Sequence, residues 1–211
     1  MNRETRSGEE IAMRCAARWS PAALLDVATA WNVTAAERVA SYPCDSHLTG
    51  PWRGLLRAVD IDAPPDVVFR WLCQLKIAPY SYDLLDNGGR RSPRRLTPGA
   101  DELAVGQHFL VFEITDFEPG RHISGTGRPP FTRCYGPLAG TYTVTPRGAN
   151  GSRLVVKLNV GNDGRWQRAR CAALAWGDLI MMRKQLLTLK ALAEGHHRRT
   201  RPGHVVSRDA S

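Results

Sequence analysis

No stretch of this 211-residue chain approaches the roughly 18 consecutive apolar residues that a bilayer-crossing helix requires, so membrane insertion is not expected. The opening residues, Met1 to Glu10, are polar and charged and lack the apolar run of a secretory signal; with both signals missing, the expectation is a cytoplasmic protein. Cysteine is sparse and forms no motif. Cys15, Cys44, Cys73, Cys134 and Cys171 are odd in number, widely spaced and free of any C-x-x-C. That pattern argues against a disulfide framework or a thiolate zinc site and for reduced, mostly buried thiols. The triplets at Asn32 and Asn150 then carry no glycosylation meaning.

The chain also lacks the short signatures of several enzyme classes. There is no H-E-x-x-H, no G-x-S-x-G and no P-loop. Gly125-Thr-Gly127 is not a dinucleotide fingerprint, because prolines follow where a helix would have to begin. His108 and His122 have no partner at a metal-ligand spacing, and His196-His197 falls near the C-terminus. No metal and no cofactor are expected. Lysine is rare, only Lys76, Lys157, Lys184 and Lys190, so the formal charge of +9 is carried almost wholly by arginine. A basic balance points to nucleic acid or an anionic surface. No basic helix or interleaved aromatic pattern accompanies the charge, which disfavours a nucleic-acid partner.

What is present is a chain with 43% hydrophobic residues, enough for a sizeable core, arranged in a readable order. Ser20-Pro21 opens a helix, with Leu24, Leu25, Ala28 and Trp31 at helical spacing. Thr34-Ala-Ala-Glu37 reads as a capping box. Tyr42 to Trp52, with two prolines and a glycine, reads as a loop. Leu55 to Ile61 is strand-like, with Val59 and Ile61 on one face and Arg57 at the same parity. Pro64-Pro65 starts a helix whose apolar stripe is Val67, Val68, Trp71, Leu72 and Leu75, ending by Pro79.

Tyr80 to Arg95 is polar and contains an Asn87-Gly88-Gly89 turn. From about 105 the period changes to two. Leu110, Phe112 and Ile114, then His122 to Thr126, Thr141 to Thr145, and Leu154 to Val160 follow one another across tight turns. Gly136 to Gly140 marks a further break. This is the pattern of an antiparallel meander with one face buried. A helix from about Arg165 to Ala193 follows, with Leu174, Asp178, Met181, Met182, Gln185, Leu189 and Leu192 on one broad face and Gly195 as its stop. The predicted organisation is a partly helical N-terminal extension (1–50), one main domain (51–195) and a basic flexible tail (196–211).

A twisted antiparallel sheet with one apolar face needs a cover, and the long helix supplies it. If the sheet curls strongly, that helix leaves a hollow. The fold class expected is therefore α+β: a curved antiparallel sheet wrapped on a long C-terminal helix.

Val59-Asp-Ile-Asp-Ala-Pro-Pro-Asp-Val-Val-Phe-Arg-Trp-Leu72 resembles the first strand and helix of the START-like (SRPBCC) superfamily, which includes polyketide cyclases/dehydrases and lipid-binding domains. Ala78 to Pro93 and Trp176 to Leu186 look like a bacterial subgroup of it. The resemblance covers about residues 53–194. It implies a helix-grip fold and a cavity for a small hydrophobic or aromatic ligand. Because this fold hosts many unrelated activities, it leaves open whether the chain binds a ligand or acts on it as a cyclase/dehydrase or aromatase. An interaction or nucleic-acid-binding role for the arginine surface is the third alternative.

The candidate ligand-binding residues follow from chemistry. Tyr80, Tyr82, Asn87, Arg90 and Arg91 form a polar loop whose hydroxyls and guanidinium forks suit a pocket rim, although a loop tied by its own Asp–Arg pairs reads the same way. Trp71, Trp176, Met181 and Met182 suit a cavity wall, or ordinary core packing. Asp178, on an apolar helix face, must be paired, neutral or functional, and it is the candidate catalytic acid/base. Arg57 or Arg91 is its expected partner.

Overall fold

The computed structural model describes residues 26–82 and 88–200. Its centre is one seven-stranded sheet. The strands are β1 (Ala30–Trp31), β2 (Trp52–Ile61), β3 (His108–Phe109), β4 (Phe112–Glu118), β5 (His122–Gly127), β6 (Leu138–Arg147) and β7 (Gly151–Gly161). They lie in the order β1-β2-β7-β6-β5-β4-β3, and every pairing is antiparallel except β1 on β2. The helices are α1 (Ala35–Val39), α2 (Pro65–Cys73), α3 (Phe131–Tyr135) and α4 (Gly164–Thr200). No helix among the described residues is long and apolar enough to cross a membrane.

The register sorts side chains to two faces. Leu55, Arg57 and Val59 of β2 stand opposite Leu158, Val156 and Leu154 of β7. Tyr142 and Val144 of β6 stand opposite the same Val156 and Leu154. Strand side chains alternate, so these residues make one continuous concave face. Long α4 lies across it and buries Met182, Leu186, Leu189 and Ala193, while α2 packs on α4 and buries Trp71 and Leu72. Each large apolar side chain buried this way contributes roughly 1.5–3 kcal/mol.

Three glycines shape the concave floor. A side chain on Gly140 would meet the Phe112 ring at 2.8 Å, one on Gly125 would meet the Glu113 carbonyl at 2.4 Å, and one on Gly127 would meet Leu138 at 2.7 Å. Side chains at 140 and 125 would displace Phe112, and one at 127 would displace Leu138. A register shift between Ile114 and Asp116 adds local twist to the same edge.

The opposite, convex face is covered rather than wetted. A 3₁₀ turn, Pro43–Ser46, sits on β6 and β7. The Cys44 N–H donates to Thr141 Oγ1 (2.9 Å), and Asp45 receives Lys157 Nζ (2.8 Å) and Asn159 Nδ2 (2.8 Å). The Lys157 ammonium lies 5.0 Å from the centroids of both the Tyr42 and Trp52 rings.

Local expectations and structure differ in instructive places. The capping box is present in full: Thr34 Oγ1 accepts from the Glu37 N–H, and Glu37 accepts from the Thr34 N–H. The helix expected through Trp31 instead gives way to β1 at Ala30, because that segment finds an unpaired edge of β2. Leu110 is not in a strand but turns the chain at φ 55°. Gly140 lies inside β6, where the Phe112 ring needs it. Gly195 does not stop α4, which runs to Thr200. Glycine ends a helix by taking a left-handed φ, and Gly195 stays helical among helix-compatible neighbours.

Candidate functional site

The curl of the sheet holds its concave face away from the middle of α4. The result is a cavity of about 730 Å³ bounded by β2, β6 and β7 on one side and α4 on the other. Its walls are mainly apolar: Leu55, Val156, Leu158, Leu138 and Phe112 from the sheet, and Leu174, Met181 and Met182 from the helix. The exposed side chains of Ile77, His108 and Phe131 mark where it opens.

Polar groups enter this wall at a few points. Arg57 is 1% exposed and Asp178 is 12% exposed at the side chain, with Arg57 Nη2 3.0 Å from Asp178 Oδ2. Strand parity points Arg57 inward and helical periodicity points Asp178 inward, and they meet at the edge of the hollow. The pair is less symmetric than its distance suggests. Arg57 Nη2 donates to the Ala28 (2.7 Å) and Ala175 (3.2 Å) carbonyls, and Nη1 donates to the Leu56 carbonyl (2.9 Å). Asp178 Oδ2 is left with a charge partner but no aligned hydrogen bond among the described residues. Burial pushes the Asp178 carboxyl up to about 6, against the pull of the guanidinium. Burial lowers Arg57 from its usual range, and Asp178 partly restores it.

Beside this pair, the Tyr142 hydroxyl donates to Gln185 Oε1 at 3.0 Å, and Gln185 Nε2 donates to the Pro79 carbonyl at 2.7 Å. Burial, with Asp178 nearby, raises the Tyr142 phenol well above its ordinary value. Ser81 Oγ donates to the Met181 carbonyl at 3.2 Å. Among the described residues, no three His, Cys, Asp or Glu side chains converge as metal ligands would.

The candidate residues divide by position. Arg57, Asp178, Met181 and Met182 border the cavity. Trp71 and Tyr80 do not. Trp71 is buried on α2, edge-on to Tyr80 and to His196, each with ring centroids 6.3 Å apart. Tyr80, at φ 54°, is buried with its N–H donating to Ser92 Oγ. Tyr82 is 40% exposed and Trp176 is 42% exposed, on the outer side of α4. Trp176 is two residues from Asp178, and so about 200° around a helix from it. Arg90 and Arg91 are exposed and outside the cavity wall, and Asn87 lies outside the described residues. Asp178 therefore pairs with Arg57 and not with Arg91.

Two wall residues, Tyr142 and Gln185, were not candidates on sequence. Signals for both existed: Tyr142 alternates with threonines at the parity of Val144, and Gln185 sits on the helix face of Asp178 and Met181.

No protein-family model and no curated protein sequence matches the chain. Solved structures to which the chain shows similarity include a protein of Mesorhizobium loti (20% identity, 71% of this chain and 99% of that chain, TM-score 0.45). A Thalictrum flavum norcoclaurine synthase point mutant with a transition-state analogue shows 14% identity over 71% of this chain and 98% of its own (TM-score 0.43). The di-domain ARO/CYC BexL of the BE-7585A biosynthetic pathway shows 15% identity over 67% of this chain and 46% of its own (TM-score 0.42). By its own sheet order and the helix that the sheet wraps, the chain has a helix-grip architecture.

Proposed function

We propose that this chain binds a small, mostly apolar molecule between its sheet and α4, with the Arg57–Asp178 corner orienting the molecule's polar end. One observation carries the reading: a cavity of about 730 Å³, apolar on both walls, with a single carboxylate, among the described residues, at its margin. Ligand pockets commonly span roughly 300–1,000 Å³, with a few polar groups placed to fix orientation. The test is native mass spectrometry of protein purified from its own host, together with Nile red titration of the delipidated protein. A co-purifying small molecule that Nile red competes with supports the reading. Protein of bare mass that also leaves Nile red fluorescence unchanged refutes it.

A second reading is an enzyme of the cyclase/dehydrase kind acting in the same cavity. The observation favouring it is the Asp178 carboxyl at about 6, close to where a proton-transferring group works best. In that reading Asp178 removes or delivers the proton. Arg90 and Arg91 do not border the cavity, so a developing enolate oxygen would have to face Arg57 or Tyr142. A bell-shaped or sigmoidal pH–rate profile with an inflection near 6 that disappears in Asp178→Asn supports it, and turnover that survives in Asp178→Asn refutes it. A filled core with one continuous basic face would favour an arginine-surface binding protein, and the cavity supplies no such support.

A further inference from the structure

We infer that the molecule held in this cavity presents a hydrogen-bond donor, a hydroxyl or a protonated amine, to Asp178. The inference rests on the binding reading above and narrows it to a ligand chemistry.

The argument is which donors and acceptors the inner wall leaves uncommitted. Among the described residues, Arg57 is the only arginine or lysine of the sheet whose charged group enters the wall. Its Nη1 and Nη2 groups already hold the carbonyls of Leu56, Ala28 and Ala175. Its Nε–H has no partner among the described residues, but that atom is fully buried. Tyr142 gives its proton to Gln185, Gln185 gives an N–H to Pro79, and Ser81 gives its proton to Met181. Lys157 borders the cavity only through its backbone, because its ammonium is on the convex face with Asp45. Lys76 points away, donating to the Gln107 side chain at 3.0 Å.

Apart from Tyr135 and His108, the donors bordering the cavity are thus largely engaged within the protein, while one oxygen of the Asp178 carboxylate is not. Asp178 Oδ2 is buried against Arg57 Nη2, but Oδ1 accepts no hydrogen bond from a described residue, and the side chain borders the cavity one turn from Leu174 and Met182 on an otherwise apolar helix face. A ligand carboxylate or sulfonate would approach Asp178 in surroundings that screen charge poorly, beside Arg57, Tyr142 and Gln185 donors already engaged elsewhere. A ligand hydroxyl or ammonium instead completes the acceptor that the fold leaves open. Removing that donor from the ligand leaves a buried acceptor unmatched, the situation in which hydrogen-bonding pockets discriminate most.

The test is displacement of Nile red from the full chain by four compounds on one ring system: 1-methylnaphthalene, 1-naphthaleneethanol, 1-naphthylethylamine and 1-naphthaleneacetate. The expected result is that the alcohol and amine compete at least about tenfold better than the methyl compound and the acetate. Asp178→Asn should remove the amine's advantage and leave the methyl compound unchanged. If the amine is preferred over the alcohol the ligand is a cation, and if the two are equal it is a neutral donor; both support the inference. An acetate that competes as well as the amine in the unmodified chain overturns it, and this comparison does not depend on how the variant folds. Methylnaphthalene and Nile red binding with no preference among the four also overturns it while leaving the binding reading intact. Failure of all four and of Nile red itself overturns both.

Discussion

Removing Arg57 and removing Asp178 should have very different costs, although the two side chains form one ion pair. Arg57 is buried and ties together β2, the segment before β1 and α4 through the Leu56, Ala28 and Ala175 carbonyls. Arg57→Met strands three acceptors and leaves Asp178 a buried charge without a partner. Breaking a buried pair from this side costs about 3–5 kcal/mol. Asp178→Asn leaves all three carbonyl bonds in place, keeps the side-chain shape and removes a desolvated charge, so it should stay within about 1–2 kcal/mol of the unmodified chain. The pH dependence follows from the direction of the Asp178 shift. Its folded value, about 6, lies above the ordinary 3.8, so the protein binds this proton more tightly when folded. The contribution to stability is full below about pH 4 and is lost as pH rises through 6. Arg57→Met should steepen that loss, because the pull that restrains the Asp178 shift is gone. Its penalty should therefore be smaller at pH 5 than at pH 8. Urea unfolding followed by tryptophan fluorescence at both pH values measures all three chains. An Asp178→Asn penalty at pH 8 as large as that of Arg57→Met would refute the asymmetry, and an Arg57→Met penalty indifferent to pH would refute the account of the buried carboxyl.

Three further outcomes are expected. Gly140→Ala places a methyl group where the Phe112 ring lies 2.8 Å away, so the ring must swing into the cavity; Nile red affinity should fall about tenfold, with a stability loss of about 1–3 kcal/mol by urea titration. Glu37→Gln weakens the Arg153 bonds at 2.8 and 2.9 Å. Arg153 holds the Glu37 carboxyl below its usual 4.5, so that stability is present above pH 4.5 and lost as pH falls through the lowered value; the variant should cost about 1 kcal/mol at pH 7 and nothing measurable at pH 3. Burial pushes the Cys44 thiol up to about 11 and the Cys73 thiol up to about 12, and raises Cys171 as well, whereas Cys134 is exposed. Peptide mapping after iodoacetamide at pH 8 should find Cys134 alkylated well before those three, which should require denaturant.

Much of this architecture is legible in the residues because each long element carries its own period. The alternation through Leu154, Val156, Leu158 and Val160 fixes β7, and the i, i+4, i+7, i+11 spacing of Asp178, Met182, Gln185 and Leu189 fixes the inward face of α4. The meeting of Arg57 with Asp178 follows from those two periods together. Local signals mislead where a distant surface outweighs them. Ala30–Trp31 has helical spacing, yet an open edge of β2 captures it as a strand. Trp176 is a large apolar residue in a helix that covers a core, and size alone suggests burial, but its angular position faces away. The arginines of the 88–95 loop looked like a rim because they are dense in sequence, a density that says nothing about which way a loop turns. The outward residues Thr141, Lys157 and Asn159 read as a solvent face. Only the fold shows that residues 42–46 cover them.

That cover has a consequence for how the chain can be divided. A version trimmed to start at Trp52 would keep every long strand and the whole of α4. It would also strip Lys157 of its counter-ion and Asn159 of its acceptor, and would bare the outer side of the two strands whose inner side bounds the hollow. The rear of the cavity wall is thus anchored by residues that never border the cavity. Pieces that look dispensable in a linear map can be what keeps a pocket open.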